Sequence, residues 1–393
     1  MSKNAPLKIG IIAGEASGDV LGAGLLKALK VKHPDCEVSG IGGKYLIAQG
    51  LHSIVDMNEL SVMGLVEVLK HLPRLLSIRK QVIEHFIQNP PDVFIGVDAP
   101  DFNLRIASAL KENGVKTVHY VSPTIWAWRE SRIHKIAKAT NLVLGIFPFE
   151  QSIYEKYKVP YTYVGHTLAD EIPLYVDRQG ARSTLARYTQ SKAFHVEADT
   201  HVLAILPGSR AREIESMLPV FLETAKLYSA HFKALKVFIP AANKARHQQI
   251  LDLLKAQHSR LDVHVTDAPA RDVMIASDAV LLTSGTASLE AMLCKRPMVV
   301  AYRMSGLTYK IMQYLYKPDY FSLPNILAEE ALVPELLQEE VNPANMCAHL
   351  LEQIERDQNK LSQAYFEQHL RLRQHANEKA ADAVLALIED TKC

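Results

Sequence analysis

The segment KIGIIAGEASGDVLGAGLLKALK, residues 8–30, carries three local instructions in one run. Its first residues are an apolar stretch of strand length. Gly14 and Gly18 then flank a turn, and the remainder is apolar at helical spacing. The same order of strand, Gly-bearing turn and helix returns in HVLAILPGSRAREI at residues 201–214. Between these two starts come CEVSGIGG (36–43), PDVFIGVDAPDF (91–102), VKTVHYVSPTIWAW (115–128) and NLVLGIF (141–147). After the second come KVFIPAA (236–242), LDVHVTDAP (261–269), DAVLLTSGTASLEAML (278–293) and RPMVVAYR (296–303). Strand and helix alternating at this spacing predict α/β architecture with doubly wound parallel sheets.

The pattern stops and restarts, so two Rossmann-like domains are expected, over residues 1–180 and 181–342, with their strands ending at a shared cleft. Polar residues 177–200 read as a linker with a short helix. Residues 343–393 read as helices, free to cross back to the first domain or to pair with another subunit as a homo-oligomer. A chain of 393 residues fits two domains. With 44 Lys and Arg against 43 Asp and Glu, bulk charge gives no reason to expect nucleic acid. The four cysteines, Cys36, Cys294, Cys347 and Cys393, form no CxxC pair and suit a reducing compartment, so a cytoplasmic location is expected. The early apolar run meets Lys8, Glu15 and Asp19 and reads as a strand, not a signal peptide. No stretch of 18 apolar residues occurs, so membrane contact is expected to be peripheral.

Four loops carry the chemistry. GEASGD (Gly14–Asp19) is neither a G-x-G-x-x-G fingerprint nor a P-loop, which argues against a dinucleotide oxidoreductase. It reads either as a turn with Ser17 or Asp19 capping the helix, or as a site where carboxylates accept from sugar hydroxyls. GVDAPDFN (Gly96–Asn103) ends a strand with two acids. Asp101 fits a helix cap, which leaves Asp98 as the candidate general base. LPGSR places Ser209 and Arg210 at a helix start, suited to phosphate. TSGTASLE offers Ser284, Gly285 and Thr286 as small residues exposing backbone N–H groups to a diphosphate, with Glu290 placed to accept from ribose hydroxyls. Both tryptophans, Trp126 and Trp128, lie in VSPTIWAW, as core groups or as faces for a sugar or acyl chain. Arg129, Arg132, His134, Lys135 and Lys138 follow as a basic face.

GEASGD, VSPTIWAW, GHTLAD (Gly165–Asp170), LPGSR, SGTASLE and FSLPNILA (Phe321–Ala328), in this order, resemble the signature blocks of the lipid-A-disaccharide synthase family. They span roughly residues 10 to 330. The resemblance implies the GT-B fold and an inverting transfer of 2,3-diacylglucosamine from its UDP donor to 2,3-diacylglucosamine 1-phosphate. The product has a β-1′,6 link, UDP leaves, and no metal or organic cofactor is implied. It supports Asp98 as the base and Arg210, Ser284, Gly285, Thr286 and Glu290 as UDP contacts. It marks Glu15, Ser17 and Asn325 as cleft residues. Thr167 stands where the family commonly has proline. The rival readings are another GT-B enzyme, such as a UDP-sugar epimerase or a GlcNAc transferase, and a non-catalytic nucleotide-sugar or lipid binder.

The stretch LSVMGLVEVLKHLPRLLSIRK (60–80) combines Leu65, Val66, Val68, Leu69, Leu72, Leu75 and Leu76 with Lys70, His71, Arg74, Arg79 and Lys80. Two helical pieces divided at Pro73 are expected. They read as a core-packed pair, or as an apolar face entering the inner-membrane surface with basic flanks on anionic headgroups. The lipid nature of the implied substrates favours the second, with Val66, Val68, Leu69, Leu72, Leu75 and Leu76 as the contact.

Overall fold

The computed structural model describes residues 6–60, 65–188, 199–257 and 261–389. The chain divides into two compact units, Met1–Asp170 with Leu372–Cys393, and Glu171–Arg371.

The first unit contains β1 (Lys8–Ala13), β2 (Glu37–Ile41), β3 (His52–Ser53), β4 (Val93–Val97), β5 (Lys116–Tyr120), β6 (Leu142–Gly145) and β7 (Tyr161–Tyr163). They form one parallel sheet in the order β3-β2-β1-β4-β5-β6-β7. The central strands are buried on both faces, as their continuous apolar runs require. One face packs under the helix Ala16–Lys32 and the final helix Ala376–Glu389, with Leu25, Leu26, Leu29, Ala380, Ala381 and Val384 in the core. Ile78, Val82 and Phe86 of the helix Leu65–Gln88 cover the other face.

The second unit contains β8 (His201–Leu206), β9 (Leu235–Pro240), β10 (Asp262–Thr266), β11 (Ala279–Thr283), β12 (Met298–Tyr302) and β13 (Glu335–Leu337), parallel in the order β10-β9-β8-β11-β12-β13. The unit begins ahead of residue 181: Arg178, which opens the helix Arg178–Tyr188, pairs with Asp278 at 2.8 Å, and Arg182 on the same helix donates to the Ala276 carbonyl and to Asp278. It runs past residue 342 because Met346, Cys347 and Leu350 of the helix Pro343–Glu355 complete its core. The short strands β3, β7 and β13, each at or next to a sheet edge, are additions to the ten that the sequence pattern predicts.

The expected break at Pro73 is corrected. One helix, Leu65–Gln88, runs through the proline. Proline removes one backbone hydrogen bond, but the buried Ile78, Val82 and Phe86 fix the downstream half against the sheet.

Asp19 is 1% exposed and its carboxylate accepts from the backbone N–H of Gly43 (2.8 Å), Tyr45 (3.0 Å) and Leu46 (3.1 Å). It therefore caps not its own helix but the neighbouring one, Lys44–Ala48. Removing it leaves the buried Leu46 N–H and the part-buried Gly43 and Tyr45 N–H groups without this acceptor. Asp19→Ala lowers unfolding stability by about 2–4 kcal/mol, measured by urea denaturation. A loss under about 0.5 kcal/mol would show that the clip is not structural.

Candidate functional site

In each sheet the strand order reverses once, between β1 and β4 and between β8 and β11. Loops leaving neighbouring strands at such a point run in opposite directions and open a crevice at the carboxyl ends. GEASGD leaves β1 and GVDAPDF leaves β4. LPGSR leaves β8 and TSGTAS leaves β11. The four sequence motifs thus fall in pairs on the two reversals.

In the first unit, Glu15, Ala16 and Ser17 are exposed while Gly14 and Gly18 are buried. Glu15 occupies the N-cap position without a side-chain capping bond. Asp98 is half-buried, and its N–H donates to the Tyr120 carbonyl, extending the ladder past β4. Burial pushes its carboxyl pKa above the ordinary value, with the Ala99 N–H acting in the opposite direction. Asp98 and Ala99 both take positive φ, 51° and 42°, an uncommon pair for residues with a Cβ. Asn103 holds them. It is fully buried, and its Nδ2 donates to the carbonyls of Asp98 (2.8 Å), Val97 (3.2 Å) and Ile12 (3.4 Å). One amide thus ties β1, β4 and the strained turn to the helix Pro100–Glu112. Sequence reading passed over Asn103. An asparagine three places into a helix behind two acids was the available signal.

Asp101 is not the helix cap. That position is Ala99, and Asp101 stands in the first turn, paired with Arg132. Within the basic stretch Lys138 pairs with Glu112 at 3.4 Å, and the Arg129 guanidinium lies 3.8 Å over the Trp128 ring. Trp126 is half-buried, edge-on to Phe149 at 4.7 Å between ring centroids. GHTLAD works as an anchor. His166 N–H donates to the Leu372 carbonyl, and the Asp170 carboxylate accepts from His375 (3.0 Å) and Ala376 (2.6 Å). A pocket of about 670 Å3, lined by Ala16, Tyr45, Ile47, Ile54, Val55 and Met57 among others, adjoins the start of the GEASGD helix.

In the second unit, Gly208 has φ 114°, and a Cβ there would meet Glu213 Oε2 at 2.5 Å. That carboxylate accepts from the N–H groups of Ser209 and Arg210, both at 3.2 Å, and its other oxygen pairs with Arg210 Nη1 at 3.0 Å. Arg210 is otherwise exposed. Gly285, at φ 143°, is the N-cap of Thr286–Leu293, and a Cβ on it would meet nothing within 4 Å. Ser284 is half-buried and Thr286 exposed, so the first-turn N–H groups face open space. Glu290 is half-buried in the second turn. Burial raises its pKa and Arg271 pulls it back down.

Asn325 sits differently from the exposed candidates. It is 1% exposed, and its amide bonds Val333 N and O (both 2.9 Å) and Glu335 Oε1 (2.9 Å). Glu335 also accepts from Phe321 N and Ser322 N, and Ser284 Oγ reaches the Phe321 carbonyl at 3.5 Å. Asn325 therefore braces the chain segment against which the Ser284 loop rests.

The family model described as Lipid-A-disaccharide synthetase matches residues 9–388. The chain belongs to this family. The Lipid-A-disaccharide synthase of Alteromonas mediterranea is 55% identical over 98% of this chain and 99% of that one. That of Pseudoalteromonas translucida is 50% identical over 97% of each. Among solved structures, a Neisseria meningitidis UDP-GlcNAc 2-epimerase bound to UDP-GlcNAc aligns with TM-score 0.64, covering 98% of this chain and 100% of that one at 14% identity. That likeness concerns the fold, which is GT-B. The family assignment rests on the synthases, and the epimerase alternative loses its ground.

Because Asp98 has a higher pKa folded than unfolded, the folded state holds its proton more tightly. Its contribution to stability then falls as pH rises above the ordinary carboxyl value of about 3.9. Asp98→Asn removes the buried charge, and Asn tolerates positive φ. The variant melts about 1–3 °C higher than wild type at pH 8, and the gain disappears at pH 4. A lower melting point at pH 8 would contradict the burial argument.

Proposed function

We propose that this chain is an inverting glycosyltransferase that condenses UDP-2,3-diacylglucosamine with 2,3-diacylglucosamine 1-phosphate, giving the β-1′,6-linked disaccharide 1-phosphate and UDP. The observation that carries the reading is the half-buried Asp98, its pKa raised, on a strained turn at the strand-order reversal of the first unit. Membership of the synthase family supports the substrate class.

In the proposed reaction the acceptor's 6-hydroxyl attacks the anomeric carbon of the donor. Asp98 accepts the hydroxyl proton, and the carbon–oxygen bond to UDP breaks with its electron pair leaving on the diphosphate. A carboxylate lifted toward neutral pH is a better match to this transfer than one at its ordinary value. Glu15 and Ser17 offer acceptor groups to the sugar. The pocket beside them, walled by Tyr45, Ile47, Ile54 and Met57, suits an acyl chain better than a phosphate.

The second unit takes the UDP portion. Backbone N–H groups at Gly285 and Thr286, with the Ser284 hydroxyl, meet the diphosphate at a helix start. Arg210 swings from Glu213 to phosphate, and Glu290 accepts from the ribose. Asn325 acts by keeping the Phe321–Ser322 segment against the Ser284 loop. Phosphate charge met in this way needs no metal, so chelation leaves turnover unchanged.

The membrane contact is also a proposal. Leu72 and Leu76 are 42% and 41% exposed, with Pro73 exposed beside them and Leu75 half-buried. The side chains of Val66, Val68 and Leu69 lie outside the described residues. Among the described residues no helix is long and apolar enough to cross a membrane. An exposed leucine pair upstream of the core-bound Ile78, Val82 and Phe86, with Arg79 and Lys80 one turn on, fits an anionic lipid surface.

Mixing the two diacylated substrates with the chain yields UDP and one product whose mass equals their sum less UDP. UDP release without acceptor would point to a different enzyme. Asp98→Asn lowers kcat by about 10²–10⁴-fold while UDP affinity stays within about twofold, whereas Glu290→Gln weakens UDP roughly tenfold. Equal loss of UDP binding in Asp98→Asn would recast Asp98 as structural. The double variant Leu72→Ser, Leu76→Ser pellets less with anionic liposomes and keeps its circular dichroism. Undiminished pelleting would remove this face from consideration.

A further inference from the structure

Two polar cavities of about 490 and 450 Å3 lie within the second unit. They share Lys295, Arg296, Asn359 and Ser362 and so adjoin. The larger opens at the amino ends of the strands, where His201 begins β8, Asp278 precedes β11 and Pro297 precedes β12. This is the opposite edge of the sheet from the Ser209 and Ser284 loops.

Its charge is unbalanced. Arg178, Lys295 and Arg296 line it, against the single carboxylate of Asp278. Asp278 is already engaged by Arg178 at 2.8 Å, Arg182 at 2.6 Å and the Val202 N–H at 2.8 Å. Among the described residues, Lys295 and Arg296 have no carboxylate within ion-pair distance. Lys295 is 9% exposed and donates to the Leu293 carbonyl (2.8 Å) and to His369 Nδ1 (2.6 Å). Burial pulls its ammonium down to about 8. Arg296 donates to the carbonyls of Cys294 (3.1 Å) and Ser277 (3.2 Å).

Part of this arrangement is helix chemistry. Cations there offset the negative ends of the helices Ala270–Ala276 and Thr286–Leu293. That role uses Nε and Nη1 of Arg296 and leaves Nη2 without a protein acceptor among the described residues. Arg178 borders the same space through its pairing with Asp278. Sequestering cations without a counter-charge costs free energy that a bound anion would return. Ser362, exposed and neutral, lines both chambers, and the second adds an aromatic pair, Tyr175 and Phe366, 5.6 Å apart.

We propose that this double chamber binds a small organic phosphate, with the phosphate against Arg296, Lys295 and Arg178 and the sugar or base ring against Tyr175 and Phe366. The site is separate from the nucleotide loops and from the reaction proposed above. It would let a soluble phosphorylated metabolite act on the second unit without competing for UDP.

Calorimetric titration of the full chain with glucose 6-phosphate, AMP and inorganic phosphate tests this. Ser362→Asp adds a charge to the chamber from an exposed helix position, Ser362→Asn adds bulk alone, and Arg210→Ala disables the nucleotide loop. Wild type, Ser362→Asn and Arg210→Ala bind at least one of the two esters alike and more tightly than inorganic phosphate. Ser362→Asp binds it at least roughly tenfold more weakly. No saturable binding in wild type, or binding lost in Arg210→Ala and kept in Ser362→Asp, overturns the site. Equal affinity for inorganic phosphate overturns the role of the aromatic wall.

Discussion

The reversal of strand order in each sheet is the constraint on which the rest depends. A parallel strand must be reached by a crossover, and crossovers of one hand place successive helices on one face until the order turns back. At β1/β4 and at β8/β11 that turning leaves adjacent strand ends without a loop passing over them. Everything assigned a chemical role in the reaction leaves one of those four strands or is braced against a loop that does. Glu15 and Ser17 follow β1, Asp98 follows β4, Arg210 follows β8, and Ser284 to Glu290 follow β11.

Placing loops at a reversal does not fix their shape. The chain does that with buried polar side chains bound to backbone. Asp19 gathers three N–H groups, Asn103 gathers three carbonyls, and Asn325 with Glu335 holds the Phe321–Ser322 turn. Each is a side chain whose several backbone bonds form together only in one arrangement of the loops. Such networks specify geometry more than they add net stability. The strain at Asp98 and Ala99 is sustained by the Asn103 bonds.

The main strands and the loops were legible in the sequence because apolar runs and glycine turns are local signals. The edge strands β3, β7 and β13 were not, since two or three residues carry no periodicity. Asp98 stands out over Asp101 because the helical pattern begins directly behind Asp101, and its role as base is a proposal. Asp19 could not be told from a cap of its own helix, because its partners Gly43, Tyr45 and Leu46 lie more than twenty residues away. Asp101 was misassigned for a related reason, since its partner Arg132 comes from another helix start. Asn325, expected among the cleft residues, is buried and bonded to Val333 and Glu335, an arrangement set by tertiary hydrogen bonds alone. Pro73 was read as a break because local propensity favours one, and burial of the downstream half overrides it.

The clip between Asp170 and the N–H groups of His375 and Ala376 has a consequence for how the protein is made. The helix Ala376–Glu389 covers Leu25, Leu26 and Leu29, so the first unit is completed only after the second unit has left the ribosome. Roughly two hundred residues of the second unit are synthesised in between, which at about 5–20 residues per second takes on the order of ten seconds or more. Through that interval the nascent first unit carries an uncovered leucine stripe. Final docking is a high-contact-order step. Loss of the helix Ala376–Glu389 would therefore strike the folding of the amino-terminal half.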